Sequence, residues 1–167
     1  MTMPPHGGDP ARAFVRLGIR PRPVTDFSVN VNPLGPPRAV REAWPALVGD
    51  ISRYPSLEGG GVRAFYQERF GLPGECVLPG NGSIELLYLV PRALKIGKAA
   101  VMQPGFQEYE RALCLAGTEV FPVPLSASAS FGPPGMEQWE SRLAWADAVC
   151  LANPNNPTST VTPRADL

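Results

Sequence analysis

The sequence has little that would tie it to nucleic acid or to a membrane. Its 15 basic and 15 acidic residues give a formal net charge of zero, without a dense cluster of Lys and Arg. It therefore lacks the electrostatic footprint that binds nucleic acid or an anionic bilayer. It also has no apolar run long enough to span a bilayer, and residues 1–10 lack the apolar core of a secretory signal. We expect a cytoplasmic protein that acts on small molecules.

Cysteine is scarce as well. The chain has Cys76, Cys114 and Cys150, which are far apart and lie in or beside apolar runs. An odd number of widely spaced cysteines favours reduced core thiols over disulfides, and the spacing fits no metal site. We expect buried, free thiols and no bound metal.

What is present describes a globular α/β protein. Apolar residues make up 44% of the chain and charged residues 18%, and its 21 prolines and 17 glycines separate apolar segments as turns do. Helical periodicity predicts helices over residues 36–48 and 61–70, the second ending at Gly71. Further helices are predicted over residues 84–90, from residue 105 to 117, and over 136–143. Short apolar runs predict strands over residues 76–78, 99–102, 118–123 and 148–152.

The alternation of these strands with helices predicts a largely parallel sheet covered by helices. We interpret residues 1–71 as an N-terminal arm and small-domain segment. Residues 72–167 then form the sheet-containing part of a larger domain.

An unusual run of Asn and Pro follows the last predicted strand. Residues 152–158 read Ala-Asn-Pro-Asn-Asn-Pro-Thr. Each proline fixes its own φ and restricts the residue before it, so the amides of Asn153 and Asn156 are expected to point in defined directions. Ligands of open parallel sheets bind where strands end. The same spacing also fits a plain turn leaving a strand, and that alternative stays open.

A glycine-rich loop, residues 79–83, precedes the apolar helix that begins near Ile84. Its sequence is Pro-Gly-Asn-Gly-Ser. Glycines allow the backbone to approach an anion, and the N–H groups and dipole at a helix start attract phosphate. Ser83 adds a hydroxyl donor, whereas the nearby Glu85 opposes an anion. An ordinary strand-to-helix turn is the alternative.

Aromatic residues follow other turns. Phe106 lies in Gln-Pro-Gly-Phe, directly after the strand predicted over residues 99–102, and Tyr54 lies in Arg-Tyr-Pro. A flat ring at a strand's carboxyl end can stack on a heteroaromatic ligand. Phe106 could equally be a core aromatic, and Tyr54 a turn residue.

Taken together and in this order, these motifs resemble those of fold-type I pyridoxal-phosphate enzymes, the class I/II aminotransferase superfamily. The resemblance implies an α/β domain that binds pyridoxal 5'-phosphate. It implies that Asn156 hydrogen-bonds the 3-oxygen of the ring and that Phe106 stacks on the ring. The cofactor phosphate would be held by Gly80, Asn81, Gly82 and Ser83.

Two further implications follow from the same resemblance. Tyr54 would reach the cofactor phosphate of a neighbouring subunit, which implies a homodimer. Ser159 stands where the family usually has Gly, so the turn after the Asn-Pro segment is expected to differ in shape.

The N-terminal arm narrows the resemblance. Residues 6–8, His-Gly-Gly, and residues 26–35, Asp-Phe-Ser-Val-Asn-Val-Asn-Pro-Leu-Gly, are similar to segments of the threonine-phosphate decarboxylases of cobalamin biosynthesis. Histidinol-phosphate aminotransferases usually carry Asn-Glu-Asn-Pro there, and Val31 replaces that Glu. The resemblance implies that a phosphorylated amino acid is bound by Asn32, His6, Gly7 and Gly8. A solvated His6 is the alternative.

The implied reaction is decarboxylation of L-threonine O-3-phosphate to (R)-1-amino-2-propanol phosphate by a lyase. A histidinol-phosphate-type aminotransferase is the alternative within the family, and a noncatalytic phosphate-binding or interaction protein is the alternative outside it. Lys95 and Lys98 are the only lysines, and neither matches the position of the family's Schiff-base Lys. We therefore expect an N-terminal part of the enzyme, without a catalytic residue and inactive alone.

Overall fold

The computed structural model describes residues 8–133 and 143–166. Its contacts divide the chain into two compact units, one up to Ser56 and one from Leu57 onward. The domain boundary expected after residue 71 stays a prediction. The helix predicted over residues 136–143 lies outside the described residues, apart from Leu143.

The first unit contains two α-helices. Helix α1 spans Pro10–Leu17 and helix α2 spans Arg38–Leu47, which a 3₁₀ helix over Val48–Ser52 follows. Helix α2 confirms the helix predicted over residues 36–48. Helix α1 was not predicted, although Asp9 caps its start, Pro10 is its first residue and Gly18 ends it in a left-handed conformation.

The second unit contains a three-stranded parallel sheet with helices. Its helices are α3, Gly60–Phe70, α4, Gly82–Ala93, and α5, Gln107–Leu115. Its strands are β1, Lys98–Gln103, β2, Glu119–Pro124, and β3, Ala148–Cys150. The order is β2-β1-β3, and Val101 of the central strand lies opposite Pro122 and Cys150. The predicted α/β class is confirmed.

The central strand β1 is buried on both faces. On one face, Ala99 and Val101 pack against Leu113 of α5. On the other, Ala100 and Met102 pack with Val123. Burial on two faces explains why β1 is continuously apolar, and it fixes the loop after β1 on a rigid support.

The strand predicted over residues 76–78 is wrong. A 3₁₀ helix covers Gly74–Cys76, and Val77 is extended without joining the described sheet. The Val77 carbonyl accepts a hydrogen bond from Arg63 Nε at 3.1 Å. A side chain therefore satisfies a backbone group that a neighbouring strand would otherwise pair.

The prediction of core cysteines is wrong for two of the three, whereas Cys150 packs against the core cluster of Ala99, Val101 and Leu113. Cys76 and Cys114 are exposed, and Cys150 is half-buried. Cys114 follows the buried Leu113 on α5, and consecutive helical residues face different directions, so an apolar neighbour does not imply burial. Burial raises the pKa of the Cys150 thiol.

Within residues 8–133 and 143–166, none of the helices combines the length and apolarity needed to cross a bilayer.

Candidate functional site

The turn between β1 and α5 presents Phe106. A Cβ atom at Gly105 would lie 2.2 Å from the Met102 carbonyl oxygen, so the turn requires glycine there. Phe106 immediately precedes α5 and is half-buried. Its ring meets the Tyr109 ring edge-on, with centroids 5.7 Å apart and planes at 88°. Phe106 belongs to neither core cluster, whereas Tyr109 packs against the cluster of Ala99, Val101 and Leu113.

The Asn-Pro segment forms a loop closed by its own hydrogen bonds. The Asn153 side chain donates to the Thr162 carbonyl and accepts from the Thr162 N–H, both at 2.9 Å. Inside this loop, the Asn155 N–H donates to Thr160 O at 2.8 Å, and the Ser159 N–H donates to Asn155 O at 2.7 Å. Ser159 has a φ of 60°, in the left-handed region that favours glycine.

The two adjacent asparagines of this loop differ in their surroundings. Asn155 is only 8% exposed, and its Nδ2 donates to Pro104 O at 3.1 Å and to Thr158 Oγ1 at 2.8 Å. Asn156 is half-buried, and its side-chain amide makes no hydrogen bond to another described residue. The amide predicted to bind a ligand is thus free within the described chain.

The glycine-rich loop ends at the start of α4. This helix begins at Gly82, and the side chain of its N-cap residue Asn81 makes no capping hydrogen bond. The Gly82 N–H donates to Gly80 O at 2.8 Å. Gly82 has a φ of 77°. Before it, the Asn81 N–H donates to Glu85 Oε2 at 2.5 Å. This backbone amide therefore already faces a carboxylate oxygen.

Helices α4 and α5 are joined by a hydrogen bond between their side chains. The Tyr88 hydroxyl donates to Glu108 Oε2 at 2.5 Å, and Glu108 is buried. Arg111 lies 3.6 Å from the other Glu108 oxygen. The hydrogen bond to Glu108 raises the pKa of Tyr88. Because α4 carries the glycine-rich loop and α5 follows Phe106, this bond connects the two segments.

Two hydrogen bonds connect the elements that carry these segments. Tyr88 of α4, the helix after the glycine-rich loop, bonds Glu108 of α5, the helix after Phe106. Asn155 of the Asn-Pro loop bonds Pro104 in the turn before Phe106. A shallow, mostly apolar cavity lies beside the Asn-Pro loop. Its lining residues are Met102, Leu125, Phe131, Pro133, Leu151, Ala152, Asn155 and Thr162.

The site residues predicted in the first unit have separate surroundings. Asn32 Oδ1 accepts from the Leu34 N–H at 3.0 Å, so this side chain stabilises its own turn. The Gly8 N–H donates to Ser28 Oγ at 2.8 Å, which brings residue 8 next to the segment over residues 26–35. Tyr54 is 101% exposed. His6 and Gly7 lie outside the described residues.

In the segment over residues 26–35, Asp26 is held by Ser28. The Asp26 carboxylate accepts from the Ser28 hydroxyl at 2.5 Å and from the Ser28 N–H at 2.7 Å. The side-chain bond first, and then the backbone bond, lowers the pKa of Asp26. The segment is therefore folded on itself by local hydrogen bonds.

The second unit is an α/β domain in which the turn of Phe106 follows β1 and the Asn-Pro loop follows β3. Residues 22–167 match the sequence model of the family described as aminotransferase class I and II, and the chain belongs to this family of fold-type I pyridoxal-phosphate enzymes.

Relatives with two different reactions resemble the chain. It is 33% identical to the threonine-phosphate decarboxylase of Salmonella typhimurium over 160 residues, which cover 92% of this chain and 42% of that protein. It is 34% identical to the histidinol-phosphate aminotransferase of Stutzerimonas stutzeri over 153 residues, which cover 90% of this chain and 41% of that protein. The chain thus spans about two fifths of the length of these relatives.

A solved structure shows the same fold. The crystal structure of the histidinol-phosphate aminotransferase from Clostridium acetobutylicum has a TM-score of 0.72 with this chain at 23% identity. The match covers 86% of this chain and 41% of that one.

The family uses pyridoxal 5'-phosphate, and the described residues fit this group. A phosphate needs N–H donors, which the uncapped start of α4 offers. A pyridine ring needs a flat partner, and Phe106 is half-buried outside the core. A ring oxygen needs a donor, and the Asn156 amide has no other partner among the described residues.

Sequence reasoning missed the contacts of three residues, namely Tyr88, Glu108 and Asn155. Neither contact has a local signal in the sequence, because Tyr88 and Glu108 are 20 positions apart and Asn155 and Pro104 are 51 positions apart.

Proposed function

We propose that this chain supplies the cofactor-binding loops of a pyridoxal-phosphate-dependent enzyme. The main support is the hydrogen bond of 3.1 Å from Asn155 Nδ2 to Pro104 O, which joins the loop of Asn156 to the turn of Phe106. When bound, the cofactor supplies an electron sink for a carbanion at the substrate's α-carbon. The protein's share of the chemistry is binding, orientation and electrostatics.

Each loop has a separate task in this proposal. The backbone amides of Gly80, Asn81 and Gly82, with the Ser83 hydroxyl, hold the phosphate at the positive end of the α4 dipole. For this, the Asn81 N–H exchanges its bond to Glu85 Oε2, and the Gly82 N–H its bond to Gly80 O, for bonds to the phosphate. The ring of Phe106 covers one face of the pyridine.

Asn156 donates its amide N–H to the 3-oxygen, and Tyr54 contributes its hydroxyl to the phosphate bound by the partner subunit of a homodimer. The full exposure of Tyr54 is compatible with such a role across an interface.

We propose the decarboxylation of L-threonine O-3-phosphate to (R)-1-amino-2-propanol phosphate, a lyase reaction of cobalamin biosynthesis, as the activity of the protein. Support comes from the Salmonella relative and from the segment over residues 26–35. In this proposal Asn32, His6, Gly7 and Gly8 bind the substrate's carboxylate or phosphate. None of them breaks a bond, and neither Lys95 nor Lys98 is assigned a catalytic role.

The second candidate is amino transfer of the histidinol-phosphate type. It is supported by the Stutzerimonas aminotransferase. This relative is 34% identical to the chain, one percentage point more than the Salmonella decarboxylase. The two reactions share a cofactor and differ in the bond that is broken, so products distinguish them.

The test uses the protein expressed from its complete reading frame, incubated with L-threonine O-3-phosphate. We expect release of CO₂ in an amount equal to the amine formed. Transfer of the amino group to 2-oxoglutarate without CO₂ would instead establish the aminotransferase. Binding of the cofactor without either product would favour a noncatalytic role.

A further inference from the structure

Asn155 is a buried polar residue to which the proposed function assigns no role. Its side-chain Nδ2 donates to Pro104 O and Thr158 Oγ1, while its backbone N–H and C=O bond Thr160 and Ser159. A buried amide with this many partners has one defined orientation. Asn155 therefore fixes the local shape of the Asn-Pro loop.

The two side-chain hydrogen bonds of Asn155 connect it to residues at very different distances along the chain. The bond to Thr158 stays inside the loop. The bond to Pro104 crosses to a residue 51 positions earlier in the chain. Only the second bond can set the position of the Asn-Pro loop relative to the turn after β1.

Both ends of the crossing bond are rigidly coupled to a proposed ligand-binding group. Asn155 directly precedes Asn156, and the next residue is a proline, which restricts the backbone of Asn156. Pro104 is two residues before Phe106, and the intervening Gly105 packs so closely on Met102 O that a Cβ would not fit. A change at this bond is therefore transmitted to both groups.

We propose that Asn155 is a positioning residue which, through the Pro104 carbonyl, fixes the Asn156 amide relative to the Phe106 ring. Asn155 does not touch the cofactor in this proposal. The inference rests on the proposed function, because the two groups that it aligns are proposed to bind pyridoxal 5'-phosphate.

Two substitutions separate the two side-chain bonds. Asn155→Asp keeps the shape of the side chain, but it has no N–H for Pro104 O and places a carboxylate against it. It can accept from the Thr158 hydroxyl only when that hydroxyl turns from Thr160 Oγ1, to which it donates in the wild type. Thr158→Val is the matched control, since it removes both hydrogen bonds of the Thr158 hydroxyl inside the loop and leaves the bond to Pro104. Asn155→Ala serves in place of Asn155→Asp if the charged variant does not fold.

The measurements are made on the protein from its complete reading frame, titrated with pyridoxal 5'-phosphate. Fluorescence gives the dissociation constant, and the visible absorption of the bound cofactor gives the pH midpoint of its titration. This midpoint depends on the hydrogen bond donated to the 3-oxygen, so it reports the placement of Asn156. Loss of stability alone does not move it.

We expect Asn155→Asp to raise the dissociation constant about tenfold and to shift the pH midpoint in the same direction as Asn156→Ala. Thr158→Val should stay within about twofold of the wild type, without a shift. Because Asn155 acts through Asn156, the double variant should have the midpoint of Asn156→Ala alone.

Two outcomes would overturn the inference. One is a wild-type midpoint and affinity in Asn155→Asp, and the other is a double variant whose midpoint shift equals the sum of the single shifts. Failure of the wild-type protein to bind pyridoxal 5'-phosphate at all would instead overturn the proposed function.

Discussion

Glu85 places a carboxylate beside the loop proposed to hold the cofactor phosphate. Its Oε2 accepts from the Asn81 N–H at 2.5 Å. Glu85→Gln keeps an oxygen that can accept this bond and removes the negative charge. We expect the affinity for pyridoxal 5'-phosphate to rise about threefold to tenfold, because a like charge near the phosphate is lost.

Fluorescence titration of the cofactor checks this expectation. Glu75→Gln is the control, since it removes an equal charge from outside the glycine-rich loop. Weaker binding by Glu85→Gln than by the control would show that Glu85 supports the phosphate site.

Ser159 is held in a backbone conformation that suits glycine, with a φ of 60°. A left-handed conformation costs a residue with a Cβ about 1 kcal/mol, part of which the greater freedom of glycine in the unfolded chain offsets. We expect Ser159→Gly to raise the free energy of unfolding by about 0.5 kcal/mol. Ser159→Val should lower it by more than about 1 kcal/mol, since β-branched residues tolerate this region worst. Denaturant unfolding measures both values, and equal stability of the two variants would contradict the assignment.

At the scale of single residues, the sequence predicts the turn of Phe106 and the loop of Asn156, because proline and glycine act locally. It does not predict the role of Asn155, whose partner Pro104 is 51 positions away. It also does not predict that the Asn32 side chain bonds within its own turn.

Helices α4 and α5 depend on the contact between Tyr88 and Glu108 for their mutual placement. The hydrogen bond to Glu108, and then burial, raises the pKa of Tyr88 above its ordinary value of 10.0. Folding therefore favours the neutral phenol. The contribution of this bond to stability is fully present below pH 10.0 and is lost as the pH rises through the higher folded pKa.

Tyr88→Phe tests this contact. We expect the variant to be less stable than the wild type at pH 8, and the difference to shrink as the pH is raised above about 10. The measurement is the free energy of unfolding of both proteins across this range. A difference that is independent of pH would mean that Tyr88 stabilises the protein only by packing.

At the scale of elements, periodicity predicts α2 to α5 and all three described strands, because each is long or continuously apolar. The strand predicted over residues 76–78 is wrong. Three consecutive apolar residues indicate an extended or buried segment, but they do not show that a neighbouring strand pairs with it. Helix α1 was missed because it is only two turns long, although Asp9, Pro10 and Gly18 mark its ends.

At the scale of the whole molecule, many large apolar side chains are left uncovered within each unit. In the first unit Phe27 is 91% exposed, and in the second Leu57 and Leu94 are 104% and 70% exposed. Strands β2 and β3 also leave sheet edges open among the described residues. Exposed apolar surface and unpaired edges of this kind mark sites that other protein covers.

We therefore expect residues 1–167, expressed alone, to aggregate or to lack a cooperative thermal transition. Differential scanning calorimetry with light scattering checks both. A sharp transition in a stable monomer would contradict this expectation.

The family could be inferred from the sequence because its motifs are short runs rich in Gly, Pro and Asn, which can be recognised without knowledge of distant contacts. The sequence identifies the substrate less firmly than the family, because a decarboxylase and an aminotransferase match this chain at 33% and 34% identity. We expect the glycine-rich loop, the turn of Phe106 and the Asn-Pro loop to bind the cofactor that both reactions use. We expect Val31 and the segment around it to distinguish the two reactions.

The most direct measurement is a crystal structure of the protein from its complete reading frame, grown with pyridoxal 5'-phosphate. We predict the phosphate at the amides of residues 80–83, the Phe106 ring stacked on the pyridine, and the Asn156 amide on the 3-oxygen. A cofactor bound away from these three groups, with the bond between Asn155 and Pro104 intact, would contradict the account.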